Sequence, residues 1–569
     1  MKKFINHPED AVEEMLQGLA VLHPGSARLP GQKALIRVDA ASAHNQQVAI
    51  LSGGGSGHEP AHAGYIGAGM LSAAIAGEVF TSPSSDTVYA AIQAVTAKPG
   101  ALLVVKNYTG DRLNFGLAAE MARAEGAAVE IVVVDDDVAL QAADRATGAR
   151  GLAGTVFIHK VVGAAAAEGK SLADLVAIGK EAVASLATMG VSFSAGTSPA
   201  VGRPSFELGE QEMELGLGIH GEPGVRRMPM QPADELAETL LNGILRQGKF
   251  AHHKRVAVLV NNLGATTEME LAIVARHVVS FLAARQFTVE RIYAGTFLSS
   301  LDMAGISISL LALNDERLRW IDAPTTAPAW PNVIRQRPRQ AAAHIAPPAD
   351  TTARSQGVAQ TEVGRATKQA IEAACNALLA AEDELTELDR ITGDGDLGIS
   401  MARAARAVQS ALASYPVDDI AATLKALGHT LRLALGGSSG PLYGVLFLRC
   451  AGVLAGTQAI GLAQWAEALR QGCQALSELG GAKPGDRTML DALGPFVKTL
   501  QQGVGIQSTR AALLTAVAAA EHGADATAQM KPVLGRSSYL GERVLGHADP
   551  GAKAISVWLR AACAALVPR

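Results

Sequence analysis

Residues 102–111, LLVVKNYTGD, decide how the first half of this chain is built. A short apolar run closed by a polar loop is how a strand of an α/β layer reads. The pattern occurs again at 48–51, closed by the polar stretch 52–59, and at 129–134, closed by 135–137. The polar loops therefore gather where open α/β sheets bind ligands. Further on, RVAVLVNNLG (255–264) and GISISLLALN (305–314) read as strands of the same kind of layer. The first half is expected to form two α/β subdomains, about 1–190 and 191–332.

At 569 residues the chain is too long for one ordinary core, and 49% hydrophobic with 18% charged residues indicates well-buried globular domains. A formal charge of −5 and the lack of a basic run argue against nucleic acid or a membrane surface as partner, and favour a small molecule. The start, MKKFINHPEDAVEEM, lacks the apolar centre of a signal peptide, and no apolar stretch reaches membrane-spanning length. Cys375, Cys450, Cys473 and Cys563 lie in apolar helix-like contexts without metal-ligand spacing, so a reduced, cytoplasmic protein is expected.

Six prolines from Pro324 to Pro348, amid Ala, Thr, Gln and Arg, read as an interdomain linker, assigned to 333–362. Beyond residue 363 the chain is rich in Ala and Leu at helical spacing, which predicts an all-α, antiparallel helical domain over 363–569. Its glycine-bearing loops carry the chemistry: GDGDLG (393–398), GGSSGPLYG (436–444), KPGDRTMLD (483–491), GRSSYLGE (535–542) and GHADPG (546–551). In 385–401, LTELDRITGDGDLGISM, three carboxylates, Asp389, Asp394 and Asp396, fall where a helix running from 363 to 389 breaks before helical patterning resumes at 399. Like charges about 4 Å apart repel by roughly 4 kcal/mol at an effective dielectric near 20, so a hard divalent cation is the natural partner. A plain surface turn is the alternative, since Asp and Gly are ordinary turn residues. An EF-hand fits worse, because Ile399 and Ala405 stand where that loop needs Gly and Glu.

LSGGGSGHEPAH (51–62) invites three readings. As a dinucleotide fingerprint it has His58 where a third glycine is needed, and as a P-loop it lacks the Lys-Ser/Thr pair. His58-Glu59-Pro60-Ala61-His62 spells the zincin H-E-x-x-H, but Pro60 belongs only in a helix's first turn, so a helix is expected to begin near Glu59 and the two-histidine face is broken. GLGIHGEPG (216–224) places His220 among glycines and beside Glu222. Gly436–Gly440 also spells G-x-S-x-G, yet a nucleophile elbow needs a strand before its serine and LKALGHTLRLAL reads as helix. A phosphate-contacting glycine loop is preferred over a hydrolase serine.

Taken in order, GGGSGHEP, KNYTGD, GIHGEPG, NNLGAT, the GDGD loop, GGSSGP and GHADPG closely resemble the dihydroxyacetone kinase family in its single-chain, ATP-dependent form, over nearly the full length. The resemblance implies that His220 binds the ketose carbonyl carbon covalently as a hemiaminal, which requires a neutral imidazole. His58 and Asp111 are then acid/base groups beside the substrate hydroxyls, with Gly55, Ser56, Gly57 and Lys106 lining the pocket. Such an anchor selects carbonyl compounds over glycerol and holds a floppy substrate in place. The helical domain becomes an eight-helix barrel with ATP at one end, its phosphates on two magnesium ions held by Asp389, Asp394 and Asp396. Nucleotide contacts fall on Leu397, Gly398, Ile399, Ser400, Ser438, Ser439, Gly480, Met489, Arg536, Asp549, Pro550 and Gly551. Leu397 departs from relatives that carry another residue after GDGD. A homodimer is implied, and dihydroxyacetone is the expected substrate, with erythrulose or glyceraldehyde as alternatives and a non-catalytic binder of the same fold as the competing class.

Overall fold

The computed structural model describes residues 3–40, 47–139, 149–204, 206–222, 224–338, 361–534 and 536–567. The chain divides into two compact units, Met1–Ile345 and Ala346–Arg569.

The first unit contains two six-stranded sheets. In the first, the spatial order is β1 (Ser26–Arg28), β2 (Ala34–Arg37), β4 (Ala73–Val79), β3 (Ala49–Ser56), β5 (Ala101–Lys106) and β6 (Val129–Val134). β3 pairs in parallel with both β4 and β5, and β5 with β6. After β3 the chain goes to one side for β4 and to the other for β5. The carboxyl ends of β3 and β5 therefore flank the switch point where such sheets open a crevice. The run 102–106 is a fully buried strand, and it hands the chain to a helix, Thr109–Ala124, whose first turn holds Asp111.

The second sheet runs β11 (Thr288–Gly295), β10 (Arg255–Asn262), β12 (Gly305–Ala312), β7 (Leu186–Ser192), β8 (Glu212–Leu215) and β9 (Arg226–Pro229). Only β10 and β11 are parallel; every other pair is antiparallel. The apolar runs of 255–262 and 305–312 look like parallel strands because the sheet buries both faces, not because of strand direction. β7 starts at Leu186, so a division at 190 cuts through a strand of the second sheet. Helix Thr155–Ala167 is apolar nearly all round and buried along almost its whole length. It shares one core with residues of both sheets, among them Leu102 and Val104 of β5 and Leu259 of β10.

The proline-rich segment is not all linker. Ala327 and Trp330 are buried, Thr326 and Ala329 donate backbone hydrogen bonds to Ala68 and Gly64, and Arg337 pairs with the buried Glu290. A Cβ on Gly67 would lie 2.3 Å from the nitrogen of Ala327, which is why the chain there needs a glycine. Proline content reads as a linker because it removes helix and strand signals, but here the segment through 338 packs on the first unit. The remainder of the expected linker, 339–360, lies outside the described residues.

The second unit is all helical. The single helix expected over 363–389 is two, Glu362–Ala380 and Glu382–Thr392, and the short second one packs on a closed ring of helices without being a member of it. The ring has eight members: Glu362–Ala380, Leu397–Ala411, Ile420–Ala434, Ser439–Leu454, Leu462–Gly480, Leu490–Gly503, Thr509–Ala526 and Pro550–Leu566. Each packs on the next and the last on the first. Most connections are short, so consecutive helices run in opposite directions. Four helices, those beginning at Leu397, Ser439, Leu490 and Pro550, therefore start at the same end of the ring. The helix Ile420–Ala434 ahead of Ser438 leaves no strand for a nucleophile elbow. Among the described residues no helix is long and apolar enough to cross a membrane.

Candidate active site

In the first unit the residues singled out from the sequence gather beyond β3 and β5. No helix begins at Glu59; β3 runs to Ser56 and the first helical turn is the 3-10 segment Ala63–Tyr65. His58 is fully buried, and its Nδ1 donates to the carbonyl of Ser299 at 2.8 Å. That bond places the proton on Nδ1 and leaves Nε2 as a bare acceptor, and Nε2 is buried without a hydrogen-bond partner. Burial holds the His58 imidazole well below its ordinary range, with His220 and Lys106 adding to the effect, so the ring is neutral at pH 7. A buried acceptor left unmade costs about 1–3 kcal/mol, which a substrate hydroxyl would recover.

His220 stands edge-on to His58, ring centroids 4.9 Å apart, and packs against Tyr108 at 4.5 Å and Phe80 at 5.4 Å. Its loop turns back at Gly216 and Gly221, both at positive φ (+71° and +78°), so that Glu222 reaches the histidine. Glu222 Oε1 lies 3.0 Å from His220 Nδ1, and Oε2 accepts the His220 main-chain N–H at 3.0 Å. Burial raises the Glu222 carboxyl, but the bonds from His220 outweigh it and hold it low, so it is ionised. An ionised carboxylate accepts only, so Nδ1 donates to it and Nε2 is the nitrogen left to face a ligand. Behind the loop, Arg150 joins the buried Asp137 to the carbonyl of Gly216.

Lys106 ends β5 fully buried, its Nζ donating to the carbonyl of Gly53 at 3.2 Å. A Cβ on Gly54 would lie 2.7 Å from Lys106 Nζ and 3.3 Å from Asp111 Oδ2, which places cation and carboxylate together over that glycine. Gly55 and Gly57 are equally constrained: a Cβ would meet the main chain of Phe80 and Thr81 at the first, and the Phe80 ring at 2.9 Å at the second. The Ser56 hydroxyl is committed to the carbonyl of Gly77 at 2.7 Å, so what Ser56 offers a ligand is its main chain. His62 is turned away from His58, toward Lys106 and His159, and the zincin pair does not converge.

In the second unit Asp389 sits in the last turn of Glu382–Thr392, and its Oδ2 accepts the main-chain N–H groups of Asp396 at 2.9 Å and Leu397 at 3.0 Å. This bends the GDGD loop back on the helix. Two glycines permit it: a Cβ on Gly393 would strike Asp389 Oδ1, and one on Gly398 would lie 2.2 Å from Glu382 O and Thr386 Oγ1. Asp389, Asp394 and Asp396 bring oxygens within 4.8 Å of one another, Asp389 buried and the others exposed. An all-oxygen, three-carboxylate set at that spacing suits Mg²⁺, which accepts few carboxylates and keeps waters. It is the only such cluster among the described residues.

The nucleotide candidates lie at that same end of the ring. Leu397–Ser400 are the first turn of one helix, Ser438 and Ser439 open the next but one, Met489 precedes Leu490, and Asp549, Pro550 and Gly551 begin the last. Gly480 closes its helix opposite Leu442. Arg536 lies in the turn Arg536–Tyr539, and the neighbouring Val533 donates to Asp486 in the 481–489 loop. Asp549 caps its helix through Ala552 N–H at 2.8 Å, and its carboxyl is pushed up to about 6 by burial first and by the charges of Asp491 and Asp389. Four helix N-termini at one rim supply N–H groups and positive dipole ends suited to phosphate. Asp491, which accepts from Gly485 and Thr488, and the buried Arg487, which donates to His547 O at 2.9 Å, shape this rim without having been singled out. The KPGDRTMLD loop was their only signal.

Residues 17–329 match the Dak1 domain and 391–564 the DAK2 domain. A putative 3,4-dihydroxy-2-butanone kinase of Solanum lycopersicum is 43% identical over 99% of this chain and 98% of its own length. The triokinase/FMN cyclase of Homo sapiens is 43% identical over 98% of each chain. The crystal structure of the dihydroxyacetone kinase from C. freundii in complex with AMP-PNP and Mg²⁺ covers 98% of this chain and 99% of that one, with TM-score 0.64 and 34% identity. Two domains in this order, with these relatives, make the chain a kinase of small ketoses or trioses. It belongs to the dihydroxyacetone kinase family.

Proposed function

We propose that the chain phosphorylates dihydroxyacetone from ATP, holding the ketone as a hemiaminal on His220. The observation that carries this reading is the pairing of two imidazoles whose Nδ1 atoms are committed to acceptors, His220 to Glu222 and His58 to Ser299, so that both turn Nε2 to the ligand. The His220 Nε2 lone pair attacks the carbonyl carbon, the C=O π pair moves to oxygen, and that oxygen takes a proton from solvent. The positive charge left on the ring is removed as Nδ1 gives its proton to the Glu222 carboxylate. Asp111, buried beside Lys106 in the first turn of its helix, takes the proton of the attacking hydroxyl, while His58 Nε2 accepts from a substrate hydroxyl and orients it.

The three aspartates fit two magnesium ions, which when bound with ATP neutralise phosphate charge and align the γ-phosphoryl group. Asp389 holds the loop in shape, and Asp394 and Asp396 present their carboxylates outward. ADP release from Mg-ATP over dihydroxyacetone, glyceraldehyde, erythrulose and glycerol tests the function. Turnover highest on dihydroxyacetone and absent on glycerol is expected; turnover on glycerol equal to that on the ketoses rejects the anchor, and none on any rejects the kinase in favour of a binding role. Light scattering is expected to show two chains per particle.

A further inference from the structure

Behind the ketose pocket lies a line of titratable groups that the proposed chemistry does not use. Lys106 Nζ is 2.7 Å from His62 Nε2, and His62 Nδ1 is 2.9 Å from His159 Nε2, all three residues being buried. They come from three elements: the end of β5, the segment after β3, and the buried helix Thr155–Ala167.

Proton positions along the line follow from one hydroxyl. Ser52 Oγ gives its hydrogen to the carbonyl of Val104 at 2.7 Å, so its oxygen can only accept, and the ring atom 3.4 Å from it is His62 Nδ1. His62 Nδ1 is therefore the donor, to Ser52 and to His159 Nε2. Its Nε2 is left bare toward the ammonium. His159, accepting at Nε2, must carry its own proton on Nδ1, and that nitrogen is buried without a partner. The line thus ends inside the apolar helix and does not conduct protons to solvent.

We propose that His62, its Nδ1 proton held by the acceptors Ser52 and His159, is a positioning residue that holds the Lys106 ammonium beside Asp111 as a neutral acceptor. Neutrality is the point of using imidazole. A carboxylate there would add a further negative charge to those of Asp111 and Asp136 around Lys106, whereas an uncharged ring fixes the nitrogen without adding one. The groups facing Lys106 are the carboxylates of Asp111 and Asp136 and the rings of His58, His62 and His159. Burial keeps His62 well below its ordinary range, with the Lys106 charge adding to it. The proposal rests on Lys106 lining the ketose pocket.

The test needs no variant at first. In the full chain labelled with 15N-histidine, His62 and His159 are expected to show a protonated Nδ1 and a bare Nε2; an Nε2–H ring or an imidazolium at His62 overturns the proposal. In 13C-lysine-labelled chain without substrate, His62→Phe removes an acceptor of the charged form, so Lys106 titrates at lower pH, by about one unit. The alkaline limb of kcat/KM moves the same way. His159→Phe leaves only the longer Ser52 contact to hold the His62 Nδ1 proton and gives a smaller shift of the same sign, while His62→Gln, which retains a carbonyl acceptor, restores the titration. Folded variants whose Lys106 titration does not move reduce the pair to packing and overturn the proposal. A moved titration in a chain that phosphorylates no ketose keeps the strut and removes only the reading of the pocket.

Discussion

His58 Nδ1 and the carbonyl of Ser299, 241 positions apart in the chain, are joined at 2.8 Å, and this bond decides which nitrogen of the catalytic candidate is free. His58→Gln is expected to lower kcat by about 100-fold, the range of a lost acid/base group, with little change in Tm. Stopped-time ADP assays on folded protein check it.

Three buried imidazoles, His58, His62 and His159, are held below the ordinary value of 6.5, His159 at about 3. Below 6.5 the unfolded chain takes up protons that the folded unit refuses. Their contribution is fully present above that pH and is lost as the pH falls toward the folded values. Each neutral group steepens the loss by about 1.4 kcal/mol per pH unit. Calorimetric scans from roughly pH 7 to 5 should show the first unit's Tm dropping; a flat Tm contradicts the buried neutral rings.

Asp394→Asn with Asp396→Asn is expected to remove ATP turnover while ketose binding, measured by calorimetry, persists, because the two sites are in separate units. Asp389→Ala adds a fold defect: it strips the acceptor from two main-chain N–H groups, at about 1–3 kcal/mol each if they stay buried. Full kinase activity in the double variant sinks the metal assignment.

His220→Ala should weaken ketose affinity and blur discrimination against glycerol, while Asp111→Asn should abolish turnover and leave ketose bound. A crystal soaked with dihydroxyacetone is the direct view. Continuous density from His220 Nε2 to the ketone carbon is expected, and a planar carbonyl at van der Waals distance overturns the hemiaminal.

Cutting the chain near residue 345 should give two pieces that each melt cooperatively, as compact units do. Two unfolded halves would contradict that independence.

Much of this was legible. The apolar runs at 102–106 and 255–262 are strands, the GDGD aspartates converge, and the helical second half closes on itself, because each signal is local in sequence. What stayed hidden was carried by distance or by direction. Antiparallel pairing in the second sheet leaves no mark on strands buried on both faces. Trp330 packs against Phe157, 173 positions earlier, at ring separation 6.3 Å, and nothing in a run of prolines announces it. His159 meets His62 across 97 positions, and its only trace was a histidine and a lysine amid an otherwise apolar helix.

The ring of the second unit has an even number of members, so the chain enters at Glu362 and leaves at Leu566 on the rim opposite the GDGD loop. Parity thereby assigns each connection to a side. Those at 412–419, 455–461 and 504–508 belong to the far rim and are free to lengthen, shorten or be reopened as new termini without disturbing the phosphate loops. Loss of one helix would invert every loop after it and scatter the site over both rims. A domain of this kind is therefore constrained to gain or lose its helices two at a time.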